Sequence, residues 1–509
     1  MKAELDARAA MERMTLREKI GQMFVTGFPE CEMNDSFRAL VEDWGLSNVI
    51  LFRPNLSDKE QTARMCGDIR TLVQQRTGTQ PFITIDEEGG IVSRLPDSMG
   101  KMPSAMALSS LGVPGKIYEA ARVSGEQLRA LGINFNLAPV LDVNSNARNP
   151  VIGVRSYGQD ADTTWANASR AVQGYLDAGV MCSGKHFPGH GDTVSDSHLE
   201  LPTSKKSADA LKELEFVPFK KAIAAGIPAV TIAHVVYEAL DELPATMSRR
   251  IVSDILRGEM GFDGLIISDC MEMNAISQTY GIEEGAIRAV LAGIELIFIS
   301  HWHDKVRSTM EALEQAVQQG RVPLGAIDSA VARILHYKEI YGDAPAQRDD
   351  EVFARCSALA AELYRETVRP LGSADHFCLG ANPCFVSPRQ TQVSQASNAE
   401  QTLCFAEELC ERFGGNYVRI PLRPEEKDIN AVLEAAQGAS SVVIGTLNAT
   451  VYPTQMELLQ KLDAGGMPLA CVTLRNPFEL ERLSYKTFAL PAWEYSARSI
   501  ARAAEFFRK

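Results

Sequence analysis

The chain has 509 residues, of which 45% are apolar and 23% charged, and a formal net charge of −14. This length calls for more than one hydrophobic core, and the composition is that of a soluble globular enzyme rather than a disordered or fibrous chain. The acidic balance excludes a general binder of nucleic acid or anionic membrane, so neither is expected as a partner.

At the N-terminus, MKAELDARAAMERMTLREKIGQMF, no apolar run follows the first lysine and no secretory signal is expected. No stretch reaches the roughly 18 uninterrupted apolar residues of a membrane span. The 10 cysteines are scattered without a C-x-x-C pair, which predicts neither structural zinc nor a redox dithiol. Thiols kept reduced in the cytoplasm are the simplest expectation.

The first two-thirds alternates short apolar runs with amphipathic segments. The runs are Gln22–Phe28, Asn48–Phe52, Pro81–Asp86, Asn134–Pro139, Val180–Phe187, Pro228–Val235, Gly264–Asp269 and Leu296–Ser300. Most are rich in Val, Ile, Phe or Leu, as strands buried on both faces are. Helix-like segments lie between them, among them Lys59–Gln75, Ile117–Leu131, Thr163–Ala178, Ala208–Ala225, Ser248–Met260 and Gly285–Ala292. Eight strands alternating with helices over about 300 residues predict a closed (β/α)₈ TIM-like barrel, with an open doubly wound sheet as the alternative.

The barrel is expected to span residues 1–343. The polar stretch GDAPAQRDD after Tyr341 supplies a linker over 344–350, and residues 351–509 form a smaller α/β three-layer sandwich domain. Its helix-like segments are Glu351–Val368, Ala399–Phe413, Ile429–Ala436, Met456–Asp463 and Ser496–Phe507. Its strand-like runs are His376–Leu379, Tyr417–Ile420, Ser440–Ile444, Leu469–Leu474 and Thr487–Ala489.

Ionisable groups gather where the barrel runs end. Asp86 ends one run, Lys185 and His186 lie near the end of another, His234 near a third, and Asp269 ends a fourth. All strands of a parallel barrel deliver their C-termini to one mouth, so several such groups at successive exits point to a common site. The segment Lys185–Pro202, KHFPGHGDTVSDSHLELP, puts three histidines and two aspartates among glycines and prolines. It predicts a long loop after its strand.

That loop supports two chemistries. His186, His190 and Asp192 suggest a metal clamp, but Pro188 and Gly189 break the helical spacing that would set both rings on one face, so no metal is preferred. Asp196-Ser197-His198 suggests a proton-transfer dyad, in which a carboxylate fixes one ring nitrogen and raises the basicity of the other. Asp269 can attack an anomeric carbon, or equally cap the helix after it. Asp86 can accept hydrogen bonds from sugar hydroxyls or face water. Arg155, in NPVIGVRSYG, can contact hydroxyls or an anion, or form a surface ion pair.

Together these segments resemble glycoside hydrolase family 3, in particular its β-N-acetylglucosaminidase branch. KHFPGHGDTVSDSHLELP matches the branch's signature nearly throughout, and DEEGG (86–90), IGVRSYG (152–158) and GFDGLIISD (261–269) match in the right order. SSVVIGTLNAT and CVTLRNPFEL are similar to segments of the family's second α/β domain. The resemblance departs at Cys270, where relatives often carry Asp or Ala, and at Ile91, where an arginine is usual.

The resemblance implies Asp269 as nucleophile and His198 as acid/base with Asp196 as its partner. It implies Lys185, His186, Arg155 and Asp86 as holders of the terminal sugar. It also implies a retaining exo-β-N-acetylglucosaminidase that needs no cofactor and acts on N-acetylglucosaminides such as peptidoglycan-derived muropeptides. Phosphate in place of water as acceptor, a non-catalytic sugar-binding protein, and a metal-dependent hydrolase are the alternatives.

Overall fold

The computed structural model of the chain describes residues 9–193, 201–344, 349–372, 374–391, 403–484 and 486–508. Eight parallel strands close into a barrel: β1 (Phe24–Thr26), β2 (Asn48–Leu51), β3 (Phe82–Ile85), β4 (Phe135–Asn136), β5 (Met181–Phe187), β6 (Ala229–Ile232), β7 (Leu265–Cys270) and β8 (Leu296–Phe298). Each pairs with its sequence neighbours, and β1 pairs with both β2 and β8 to complete the ring. Each strand falls within its predicted run or extends one residue past its end, and the closed ring settles the choice against an open sheet. The runs are almost wholly buried because side chains pointing inward fill the barrel and those pointing outward meet the helices.

Several helices begin where the sequence offers an acceptor for their free N–H groups. Thr15 and Glu18 form a reciprocal cap on Leu16–Met23, and Asn34, Asp58 and Asp160 cap Asp35–Trp44, Lys59–Thr77 and Ala161–Asp177. Two predicted helices differ in detail. Ala208–Ala225 is two helices, Ala208–Glu213 and Phe216–Ala224. Pro218 sits in the first turn of the second, where its missing N–H has no helical partner to lose. Ser248–Met260 is a π-helix over Arg250–Glu259.

The second domain holds a five-stranded parallel sheet: β9 (Pro383–Pro388), β10 (Asn416–Ile420), β11 (Ser441–Thr446), β12 (Leu469–Thr473) and β13 (Phe488–Pro491), in the order β10-β9-β11-β12-β13. Alternate residues of one strand enter different cores. Phe385, Val443 and Val472 join the helices Phe405–Phe413 and Ala497–Ala504, whereas Val386, Val442 and Cys471 join Glu426–Gln437 and Pro453–Ala464. A period of two with both faces covered by helices makes the three layers.

Two strand expectations are corrected here. The run His376–Leu379 is only a two-residue strand, Phe377–Cys378, paired with Phe507–Arg508 outside the main sheet. The interior strand β9 is absent from the predicted runs; it begins and ends on a proline, and the first position of a strand is one a ladder tolerates.

Helix Asp350–Thr367, which the sequence pattern assigns to the start of the second domain, buries Phe353, Cys356, Leu359 and Leu363 in the barrel's cluster. No helix among the described residues is long and apolar enough to cross a membrane.

Candidate active site

The strand exits carry the ionisable groups. After β3 the chain runs Asp86-Glu87-Glu88, and extended backbone sends alternate side chains to opposite sides. Asp86 and Glu88 face the mouth. Glu87 turns away and accepts hydrogen bonds from Ser93 Oγ (2.9 Å), Arg94 N (3.0 Å) and Leu95 N (3.3 Å), closing the turn behind the site. Burial pushes its carboxyl up to about 7 against those donors.

Lys185, on β5, inserts its ammonium between Asp86 Oδ1 (2.8 Å) and Glu88 Oε1 (2.6 Å). Arg155, on the short turn Gly153–Arg155, meets both oxygens of Glu88 at 2.8 Å through Nε and Nη2. Arg94 Nη2 lies 3.5 Å from Asp86 Oδ2. The charges thus alternate: Arg94, Asp86, Lys185, Glu88, Arg155.

Burial opposes charge on Asp86, Lys185, Glu88 and Arg155, and the neighbours win. Lys185 and Arg94 hold Asp86 below the usual carboxylate range, and Arg155 and Lys185 do the same for Glu88. Asp86 and Glu88 raise Lys185, and Glu88 raises Arg155.

His186 Nδ1 lies 2.7 Å from Asp142 Oδ2, and its Nε2 lies 3.4 Å from Arg155 Nη2. A guanidinium only donates, so that contact requires Nε2 as acceptor and leaves the ring proton on Nδ1, facing Asp142. Asp142 also accepts from His190 N at 2.6 Å. Its carboxyl is held down because the two histidines outweigh its complete burial.

Across the mouth, β7 delivers a half-buried Asp269. Asp269 Oδ1 accepts from Cys270 N (2.8 Å), and the buried His234 donates Nε2–H to the Cys270 carbonyl (3.0 Å), fixing the backbone just after Asp269 from the neighbouring strand. The capping alternative for Asp269 has no counterpart: the next helix begins at Asn274, with Met273 at its cap position.

On the β8 side, Glu272 accepts from the amides of His301 (2.9 Å) and Trp302 (2.7 Å). These groups surround a cavity of about 850 Å³, within the range of small-ligand pockets.

Asp86, Arg155, Lys185, His186 and Asp269 all line this one cavity. Asp196 and His198 lie outside the described residues. Glu88, Arg94, Asp142 and Glu272 are not singled out by the sequence. Glu88 has a signal, the period-two relation to Asp86. The partnership of Arg155 with Glu88 spans 67 positions and has none.

The rings of His186 and His190, two of the residues in the metal alternative, lie 5.9 Å apart, each with Nδ1 committed, to Asp142 and Thr193 respectively. Among the described residues no group of three or more His, Cys, Asp or Glu is arranged to hold a metal ion.

Residues 15–337 match the family described as "Glycosyl hydrolase family 3 N terminal domain". The chain belongs to glycosyl hydrolase family 3. This family 3 chain is 32% identical over 325 residues to "Beta-hexosaminidase A" of Pseudoalteromonas piscicida, a match covering 59% of the chain and 54% of that protein. It thus spans about half the length of that relative. It is 34% identical over 274 residues to "Beta-hexosaminidase" of Thiobacillus denitrificans, covering 53% of the chain and 75% of that protein.

Among solved structures, a family 3 "beta-N-acetylglucosaminidase" from Paenibacillus sp. FPU-7 superposes with a TM-score of 0.84 at 35% identity, over 96% of each chain. The likeness therefore extends through the second domain. As a family 3 member the chain is a glycoside hydrolase.

Proposed function

We propose that this glycoside hydrolase is a retaining exo-β-N-acetylglucosaminidase, releasing terminal N-acetylglucosamine from small β-glycosides such as peptidoglycan fragments. The observation that carries the reading is the single cavity in which Asp269 faces the chain of Asp86, Lys185, Glu88 and Arg155. A pocket lined by alternating charges, each already paired, suits a neutral polyhydroxylated ring. Carboxylates accept from hydroxyls, and the cations donate to them. The names of the relatives and of the structural neighbour support the choice of amino sugar.

In the first step an oxygen of Asp269 bonds to the anomeric carbon as the glycosidic C–O bond breaks. The imidazolium of His198, held by Asp196, gives its proton to the departing oxygen. In the second step the neutral imidazole takes a proton from water, the water oxygen bonds to the anomeric carbon, and Asp269 leaves as carboxylate. Configuration is retained because the carbon is inverted twice. A histidine in this role departs from the usual pair of carboxyl groups.

The test is hydrolysis of a chromogenic β-N-acetylglucosaminide against the matching β-glucoside, with and without phosphate. Wild type should prefer the amino sugar, and Asp269→Asn should lose about 10,000-fold in kcat. Preference for the glucoside, or near-normal turnover by Asp269→Asn, would overturn the reading. Formation of a sugar 1-phosphate would reassign the acceptor.

A further inference from the structure

We propose that the second domain acts on the active site through Asn476, a positioning residue that holds the turn carrying Arg155. The inference rests on the reading of Arg155 as a sugar-holding group. It gives a role in the site to the second domain, which supplies none of the described groups that line the cavity.

Asn476 lies three residues beyond β12, at the end of the sheet that faces the barrel. Its side chain is buried, and Oδ1 accepts from the amide of Val154 at 3.1 Å. The approach is so close that a Cβ on Gly153 would stand 2.1 Å from that oxygen, and Gly153 has φ +46°, a backbone region that suits glycine. The carboxamide therefore fills the space a side chain at 153 would need. Its own backbone is fixed in turn, because Asn476 N donates to Asn448 Oδ1 at 3.2 Å.

Other contacts converge on the same segment. Thr450 Oγ donates to the Ala147 carbonyl (2.9 Å) and Arg475 Nη2 to the Pro150 carbonyl (3.3 Å). The Val154 side chain is wholly buried in a cluster formed mostly by second-domain residues such as Leu447, Leu474 and Phe478. From the barrel side the turn is held by Asn144, which accepts from Gly153 N (3.0 Å), and by Asn149, which accepts from Val151 N (2.9 Å) and Ile152 N (2.7 Å).

Arg155 is the next residue after Val154. Its two-point pairing with Glu88 tolerates little displacement of its backbone, since both N–H groups must meet both oxygens together.

The experiment compares wild type, Asn476→Ala and Asn476→Asp, the last keeping an oxygen able to accept from Val154 N. Two readouts are taken. The first is KM and kcat on the chromogenic N-acetylglucosaminide. The second is the Arg155 Nε–Hε NMR resonance, identified by its loss in Arg155→Lys.

Asn476→Ala should raise KM about tenfold with kcat within about twofold, and should shift or broaden the resonance. Asn476→Asp should restore both most of the way. If Asn476→Ala does not fold, Gly153→Ala, which drives a methyl group into the carboxamide from the other side, must give the same signature. An unmoved resonance in a folded variant overturns the proposal, and so does lowered thermal stability with KM unchanged. If wild type fails to cleave the substrate, the functional reading falls and the resonance alone decides this one.

Discussion

Lys185 and Lys338 are both almost fully buried in one barrel, at opposite ends. Lys185 stands at the mouth between two carboxylates, at 2.8 Å from Asp86 and 2.6 Å from Glu88. Lys338, on the helix Leu324–Tyr341, reaches the floor, where it meets Gln22 Oε1 (2.8 Å), Ser47 Oγ (2.7 Å) and the face of Phe82. Those groups stand at the starts of the first three strands, and none carries a charge. Burial penalises the ammonium in both places. At the mouth Asp86 and Glu88 more than offset it and the pKa rises, whereas at the floor nothing does and the pKa falls well below the ordinary lysine value. The difference separates the two ends by what each does. The mouth sets its lysine among ion pairs, and the floor uses its lysine for hydrogen bonds to uncharged groups that join helix to strands.

The largest expected break of this comparison is Lys185→Met. Without the ammonium, Asp86 and Glu88 become neighbouring buried carboxylates with one shared partner fewer. We expect kcat/KM to fall about 1,000-fold, an effect of the size seen when a preorganised charge is removed from an active site. The pH profile carries the finer test. Lys185 helps hold Asp86 ionised, so its loss should move the acid limb of kcat/KM to higher pH. A variant with a near-normal rate and an unmoved acid limb would show that Lys185 is a packing residue like Lys338.

Arg155→Lys is the intermediate case. It keeps the positive charge but trades the two bonds to Glu88 for one contact from a point charge. KM should rise about tenfold, as for Asn476→Ala, because both changes loosen the same guanidinium site. If Arg155→Lys is silent while Asn476→Ala is not, the second domain acts on some other part of the turn.

The legible and illegible parts of this molecule divide along the same physical line. Eight barrel runs are readable because a strand buried on both faces is apolar at most positions, a signal local to about five residues. Asp86, Lys185, His186 and Asp269 are readable because a parallel barrel turns the end of an apolar run into a place at the mouth. Their partners are not. Glu88 with Arg155, and Asp142 with His186, join residues 67 and 44 positions apart, and only the fold sets those distances. The strand β9, which begins and ends on a proline, is absent from the predicted runs. The Asp196–His198 dyad is read from the sequence alone and lies outside the described residues. Asn476 lies in the segment CVTLRNPFEL that resembles the family's second domain, but its role is not legible there, since it depends on a glycine in another domain.

Lys338→Met has the smallest expected effect on activity and tests the comparison at its other end. With the side chain on the floor, kcat/KM should stay within about twofold of wild type. The informative quantity is the stability difference between wild type and variant as a function of pH. In the unfolded chain lysine titrates near about 10.4. In the folded chain Lys338 holds its proton only at lower pH, so between the two values the unfolded state binds one proton more. Wild-type stability must then rise with pH through that window, by up to about 1.4 kcal/mol per pH unit, while methionine contributes nothing. Denaturant unfolding at pH 7, 8.5 and 10 should therefore show the balance moving steadily toward wild type. Lys185 has its folded pKa raised, so its contribution is fully present below the unfolded value and is lost only as pH climbs through the folded one. The difference between wild type and Lys185→Met should accordingly stay flat over the same range. A flat line for Lys338→Met would mean that the floor lysine keeps its proton, and the contrast between the two ends of the barrel would then lie in packing rather than in charge.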